Sequence, residues 1–240
     1  MARSVDATAA STVIRCELVE PADINLVALV RHNLSLGASI TMEFSSAGEV
    51  VASRTADAWP AIWPSEELPF SRNNWFFGTF SESERANFPP IFFNVGDSIF
   101  CDSISIYIDD TTNPAGYIEA ARLIVADAWQ PAYNNTPGAN VAWEGIGEWV
   151  QYAAGNEVGR QIEPRRAVRF ALDHLQKDEG WTRCFDLQRE LARCGEVFVS
   201  LTPGSQYAMH NSFLGRGRVF TGLDLNILEY ATQIEIVESL

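Results

Sequence analysis

The chain has 240 residues, of which 47% are hydrophobic and 20% are charged, and its formal net charge is −14. A chain of this length and composition can bury a core in one large or two small domains. No stretch reaches the roughly 20 apolar residues of a membrane-spanning helix, and phosphate backbones repel such an acidic chain. We therefore expect neither a membrane span nor a nucleic-acid partner.

The negative charge lies mostly in the first part of the sequence. Residues 1–150 contain 7 basic and 19 acidic side chains, a balance of −12, whereas residues 151–240 contain 10 and 12, a balance of −2. Uneven charge of this kind indicates two segments with different surroundings.

The first half of the chain has the pattern of a β-sandwich. Runs of β-branched and aromatic residues alternate with Gly, Asn and Asp turn residues, as in sheets built from short strands. The predicted strands cover residues 12–19, 24–32, 39–44, 74–80 and 103–109. Residues 55–73 contain too many prolines for a central strand, so we predict a long loop there.

Three tryptophans are the candidate binding residues of this half. Trp59, Trp63 and Trp75 lie in or next to the proline-rich loop. Exposed tryptophans stack on the apolar faces of sugars and on partner proteins, so these side chains are candidate contacts for a glycan or a partner. The alternative is that they form a small core that closes the end of the sandwich.

The stretch "GYIEAARLIVADAWQP", residues 116–131, alternates with period two, which is typical of a strand. Residues 134–140, "NNTPGAN", follow it as a predicted linker. We therefore expect a first domain over residues 1–133 and a second over 141–240.

The second domain is predicted as a β domain that carries one amphipathic helix, at about residues 179–194. Strand patterns cover residues 165–175, 196–201, 216–225 and 232–238. On a helical wheel one half is apolar, and Gly195 follows as a C-terminal stop. The predicted buried stripe consists of Trp181, Cys184, Phe185, Leu187, Leu191, Ala192 and Cys194.

The sequence offers little support for catalysis or metal binding. The acidic doublets Glu66-Glu67 and Asp109-Asp110 point to opposite faces of an extended chain, so they read as solvated turn carboxylates rather than a catalytic pair. The three histidines show no metal-ligand spacing, and neither a nucleophile elbow nor a phosphate-binding loop is present. We expect no enzymatic activity, no metal and no cofactor.

The four cysteines show no CxxC pairing, and the N-terminus has no signal-peptide pattern. Cys184 and Cys194 are ten residues apart on the predicted helix, roughly 15 Å at its rise per residue, which is too far for a disulfide. We expect four free thiols in a reducing cytoplasm.

Two stretches resemble a known family. The stretch "TVIRCELVEPADINLVALVRHNLSLGASITMEFS" resembles the opening of discoidin-type jelly rolls, and "SISIYIDDTTNPAGYIEAARLIVAD" resembles their closing strands. Together they cover about residues 12–127. With the Trp-Gln-Pro step and the strand that leads into a helix, the order resembles minor tail and baseplate proteins of long-tailed (siphovirus-type) bacteriophages, comparable to the distal tail protein.

The resemblance implies a structural virion protein without catalytic residues. Residues 116–131 would be the last long strand of a discoidin- or galectin-like jelly roll. The second domain would form a homo-oligomeric ring of three or six copies that joins the tail tube to the host-recognition apparatus and contacts other tail proteins. The chain would be made in the host cytoplasm and reside in the virion tail. The alternative function is a carbohydrate-binding module that contacts host-surface glycans through Trp59, Trp63 and Trp75.

Overall fold

The structure, a computed structural model, describes most of the chain. The described residues are 2–8, 11–60, 78–79, 85, 89–145, 147–151, 157–160, 163–192, 195–205, 207–225 and 229–239. They form a mainly β protein with antiparallel sheets and one helix, which confirms the predicted fold class.

Contacts divide the chain into two compact units. The first contains Met1–Ala128 together with Pro203–His210, and the second contains Trp129–Thr202 and Asn211–Leu240. The sequence places the linker a few residues later, at 134–140, and gives no sign that residues 203–210 belong with the first unit.

The described residues of the first unit form a six-stranded antiparallel sheet in the order β1-β6-β2-β5-β3-β4. Its strands are β1 Ala2–Arg3, β2 Val13–His32, β3 Ser39–Ser46, β4 Glu49–Asp57, β5 Ile91–Asp109 and β6 Glu119–Ala126.

Two long strands, β2 and β5, hold this sheet together. Their pairing shifts register between Glu17 and Ala22 and again between Ile24 and Leu26, so the strands bend there. Beyond the bends, β5 pairs with β3 at one end and β2 pairs with β6 at the other. The sequence predicted residues 12–19 and 24–32 as two strands, and this is wrong because the bulge accommodates Pro21 within one continuous strand.

One hydrophobic core serves both ends of the sheet. Alternate side chains of β3 and β5 point inward and meet side chains from β2 in a single buried cluster. Its members include Val27, Leu29, Ile40, Met42, Phe44, Phe92, Ile104, Ile106, Ile108 and Met209. This core includes Met209 from the 203–210 segment.

Strand β4 is absent from the sequence prediction, which assigned its last residues to the long loop. Its half-buried side chains are small or polar, as at Ala52 and Ala56, so its pattern is weak. The turn that leads into it consists of Ala47 and Gly48, both with positive φ (54° and 83°), which is the geometry of a two-residue hairpin turn.

The second unit contains an antiparallel sheet in the order β11-β12-β14-β10-β7, with β13 beside β14 and a separate hairpin of β8 and β9. The strands are β7 Asn140–Glu144, β8 Glu148–Gln151, β9 Glu157–Arg160, β10 Arg165–Leu175, β11 Glu196–Ser200, β12 Ser212–Phe220, β13 Asp224–Leu225 and β14 Tyr230–Glu238. On one face Val168 pairs with Ile236, and both are buried.

Helix α1 occupies residues 177–192 and is not a regular α-helix throughout. A π-helical turn, Gly180–Cys184, separates the α-helical segments Lys177–Glu179 and Phe185–Ala192. Asp178 and Glu179 in the first turn suit the positive end of the helix. After the helix the Gly195 N–H donates to the Glu190 carbonyl oxygen at 3.2 Å, and a Cβ on Gly195 would lie 2.5 Å from that oxygen. Gly195 therefore follows the end of the helix as predicted, but its φ is not in the left-handed region of a glycine cap.

Candidate functional site

Trp59, the first candidate binding residue, lies in the core of the first unit. Its side chain is 6% exposed, and its indole Nε1–H donates to the Leu34 carbonyl oxygen at 2.9 Å. The expectation that Trp59 presents its ring to a glycan or partner is corrected, because a buried ring with its polar atom bonded internally offers no binding surface. Trp63 and Trp75 lie outside the described residues, so their role stays a prediction.

His32 packs beside Trp59 in the same core. The two rings meet edge to face with centroids 5.4 Å apart, and His32 Nδ1 accepts a hydrogen bond from the Leu34 N–H at 3.3 Å. Burial lowers the pKa of His32 to about 3, because a buried imidazolium loses its hydration. His32 is therefore neutral at ordinary pH and packs as part of the core.

Asp110 anchors a buried polar network beside this histidine. Its carboxylate accepts hydrogen bonds from the Ser35 N–H at 2.9 Å, from the Ser35 hydroxyl, and from the Asn113 side-chain amide at 2.7 Å. The interpretation of Asp109-Asp110 as a solvated doublet is therefore wrong for Asp110, which is buried. Three hydrogen bonds replace the water that the carboxylate loses.

Asn33 and Asn113 extend the network to the chain that enters β6. The Asn113 amide also donates to the Asn33 carbonyl oxygen at 3.0 Å, while the Asn33 side chain donates to the Tyr117 carbonyl oxygen and accepts from the Glu119 N–H. These residues belong to the "HNLS" and "DDTTNPAGYIE" stretches that carry the jelly-roll resemblance. The structure brings these two stretches together as a bracing network in which the side chains of Asn33, Asp110 and Asn113 all form internal hydrogen bonds.

A buried ion pair lies in the sheet of the second unit. The Arg166 guanidinium donates to both carboxylate oxygens of Glu238, with Nε 2.9 Å from Oε2, and the two side chains are only 1% and 2% exposed. The guanidinium also lies over the Phe213 ring, 5.1 Å from its centroid. This bidentate pair fixes β10 against β14 and leaves no group directed toward a ligand.

The opposite face of the same sheet carries charges in a row. Arg169 and Arg218 flank Glu235, at 2.9 Å and 3.6 Å, and Arg218 also donates to Glu144 at 2.7 Å. The arginines thus neutralise the acidic side chains of this face locally.

Two of the described cysteines, Cys101 and Cys184, are buried in surroundings that disfavour the thiolate. Cys16, Cys101 and Cys184 are free, which confirms the prediction for these three, and Cys194 lies outside the described residues. Burial raises the pKa of the Cys184 thiol to about 11 and also raises that of Cys101. Thiols with raised pKa values are poor nucleophiles.

An exposed aromatic cluster on α1 and β14 is the first surface that the sequence did not predict. Trp181 and Phe185, assigned to the buried stripe, are 46% and 48% exposed, and their rings meet edge to face at 5.3 Å. The half-buried ring of Tyr230 packs 6.2 Å from the Trp181 ring, and exposed Leu225 pairs with Tyr230. We call Trp181, Phe185, Leu225 and Tyr230 the helix surface.

The buried stripe is narrower than predicted, and the helix contains a π-helical turn. A helical wheel at 100° per residue assumes α geometry, whereas a π turn closes its hydrogen bonds five residues apart and changes the angular step. Cys184 and Leu191 are buried as predicted, whereas Trp181, Phe185 and Ala192 are exposed. Leu187 is half-buried. The buried Gly180 lies in this turn; a Cβ there would be 2.7 Å from the Tyr230 ring.

A second exposed surface lies on β7, at one end of the sheet formed by the described strands of the second unit. Val141 and Trp143 are 44% and 48% exposed, and they sit opposite Val168 and Arg166 of β10. The sequence missed this strand because five residues beside a predicted linker are too few for a pattern. The alternation Val141-Ala142-Trp143 is the one signal that it offered. We call Val141 and Trp143 the β7 surface.

Within the described ranges, no group of three or more His, Cys, Asp or Glu side chains could hold a metal ion. The same residues include no helix with the length and apolar character of a membrane span. No protein-family model matches the chain, and no curated protein or solved structure is significantly similar to it.

Proposed function

We propose that this chain is a structural, non-enzymatic component of a bacteriophage tail tip, and that its second unit assembles copies of the chain into a ring. The ring would contain three or six copies and join the tail tube to the host-recognition apparatus. The tail-tip assignment rests on the resemblance of about residues 12–127, and the assembly role rests on the surfaces described above.

The observation that supports self-assembly is the exposure of large apolar side chains on a weakly charged unit. Val141, Trp143, Trp181, Phe185 and Leu225 are all at least 44% exposed. Exposed apolar clusters with polar surroundings are typical of protein interaction sites, and aromatic residues contribute most to such contacts.

The charge of the two units favours the second one as the contact between copies. The first unit carries 7 basic and 17 acidic side chains, a balance of −10, and the second carries 10 and 14, a balance of −4. Identical units with the larger charge repel each other more strongly. Contacts between copies are therefore least costly through the second unit.

A pair of double variants tests this proposal. Val141→Lys with Phe185→Lys places two charges on the second unit, and Val19→Lys with Val50→Lys places the same two charges on exposed valines of the first unit. Because a buried unpaired lysine is costly, we expect the first variant to be a 26.6 kDa monomer and the second to keep the wild-type mass.

The readout is native mass spectrometry, with circular dichroism to show that both variants are folded. If the wild-type protein is itself a monomer, the proposal is wrong. Loss of the oligomer only in the Val19 and Val50 variant would transfer the assembly role to the first unit.

A further inference from the structure

The loop between β11 and β12 leaves the second unit and returns to it. These two paired strands belong to the second unit, whereas Pro203–His210, between them, belongs to the first unit. The chain therefore passes from the second unit into the first after Thr202 and passes back before Asn211. We call residues 203–210 the strap.

Both ends of the strap are fixed in the second unit. The Ser212 hydroxyl donates to the Ser200 hydroxyl oxygen at 2.7 Å, and the Asn211 side-chain amide donates to the Thr202 hydroxyl oxygen at 2.5 Å. The Leu201 N–H also donates to the Asn211 carbonyl oxygen at 3.4 Å. These hydrogen bonds continue the pairing of β11 with β12 up to the strap, so they hold its two ends close together.

The last part of the strap packs in the core of the first unit. A short 3-10 turn, Ala208–His210, carries two buried side chains, since Ala208 and Met209 are 8% and 9% exposed. Met209 is a member of the buried cluster to which β2, β3 and β5 contribute. A methionine side chain fills irregular gaps between other core side chains, and its removal leaves a cavity among them. The core of the first unit is therefore complete only when the strap is in place.

We propose that the strap is a conformational latch: Met209 keeps the core of the first unit closed, and withdrawal of the strap loosens the first unit while the sheet of the second unit stays folded. Withdrawal breaks the contacts of two buried side chains and leaves the pairing of β11 with β12 intact. Segments with few buried contacts are the ones that open locally. The latch acts in this way whether or not the chain forms a ring.

Amide hydrogen exchange of the full chain, measured by mass spectrometry of its peptides, tests the latch. Met209→Ala removes most of the side chain, so we expect amides of β2, β3 and β5 to exchange about tenfold faster or more, while amides of β10 and β14 keep the wild-type rate. Met209→Leu fills a similar volume and should keep the slow exchange of the wild type. If circular dichroism shows that Met209→Ala does not fold, Met209→Val takes its place, with the same expected pattern and a smaller change.

Leu191→Ala is the matched control, because Leu191 is a buried side chain of the second unit, on helix α1. We expect this variant to exchange faster in the second unit only. Unchanged exchange of β2, β3 and β5 in the Met209→Ala chain would overturn the latch, since Met209 would then not hold this core closed. Equal acceleration of both units by either variant would also overturn it, because the two units would then open together rather than through the strap.

Discussion

Among single residues, the buried polar side chains determine how this fold responds to pH and substitution. His32, Asp110 and the pair of Arg166 and Glu238 all lie in the interior, and each is held by identified internal partners. Substituting one of these residues lowers the free energy of unfolding most when it leaves a buried partner without its hydrogen bond.

His32 makes the free energy of unfolding sensitive to acid. Its pKa is about 3 in the folded chain and 6.5 in the unfolded one, so between these values the unfolded chain binds a proton that the folded chain does not. The stability that the neutral His32 contributes is therefore fully present above pH 6.5 and is lost as the pH falls toward 3. Between pH 6.5 and 5 we expect the free energy of unfolding to fall by about 1.5 kcal/mol from this residue.

Denaturant unfolding of wild type and His32→Asn at several pH values measures this effect. The Asn side chain can still accept the Leu34 hydrogen bond but does not titrate, so its curve should be flatter over this range. His174, whose pKa is raised by its hydrogen bond to Glu229, titrates in both proteins and cancels in the comparison. Parallel pH curves would show that the folded chain protonates His32 freely.

The buried ion pair should be costly to break from one side. Glu238→Gln leaves the Arg166 charge without its carboxylate, and we expect a loss of about 3–5 kcal/mol in the free energy of unfolding. Adding Arg166→Met removes the stranded charge and should recover about 2 kcal/mol or more.

Arg216→Ala is the control, because this guanidinium is 61% exposed and bonds Glu196 at the surface. Its loss should stay under about 1 kcal/mol. If Glu238→Gln cost no more than this control in urea unfolding, the pair would not be buried as the structure has it.

At the scale of elements, helix α1 has one strongly buried position in its second segment. Leu191 is buried, whereas Arg189 on the same segment is 59% exposed. We expect Leu191→Ala to cost about 2–5 kcal/mol and Arg189→Ala under about 1 kcal/mol. Similar small losses for both variants in denaturant unfolding would mean that this segment does not pack on the sheet.

The strands with clear alternation could be predicted from the sequence. Residues 165–175 coincide with β10, and the predicted strands at 196–201 and 232–238 overlap β11 and β14. Strands β4 and β7 were missed because one is built from small and polar residues and the other is five residues long. Local patterns are weakest in both situations.

The exposed surfaces could not be predicted for a different reason. Trp181 and Phe185 are apolar, and an apolar residue on a predicted amphipathic helix is normally assigned to the core. The buried positions Gly180, Cys184 and Leu191 form a narrower stripe than the apolar half of the wheel, so Trp181 and Phe185 fall outside it. Trp59 shows the reverse error, since a tryptophan beside a proline-rich loop carries no local sign of its burial.

For the whole molecule, the thiols test whether folding and assembly are independent of disulfides. The chain has 4 cysteines, so thiol titration of the denatured, unreduced protein should report four sulfhydryls. In the native protein Cys101 and Cys184 should react slowly, because both are buried and have raised pKa values. Reductant should leave the native mass unchanged. A titre of two, or a mass that falls on reduction, would contradict the free-thiol assignment.

The native mass of the full chain, measured over a range of concentrations in reducing buffer, tests the assembly claim most directly. A closed ring has a fixed number of copies, so we predict one discrete oligomer at three or six times 26.6 kDa that does not grow as concentration rises. A mass of 26.6 kDa at every concentration would contradict the claim that the second unit assembles this chain.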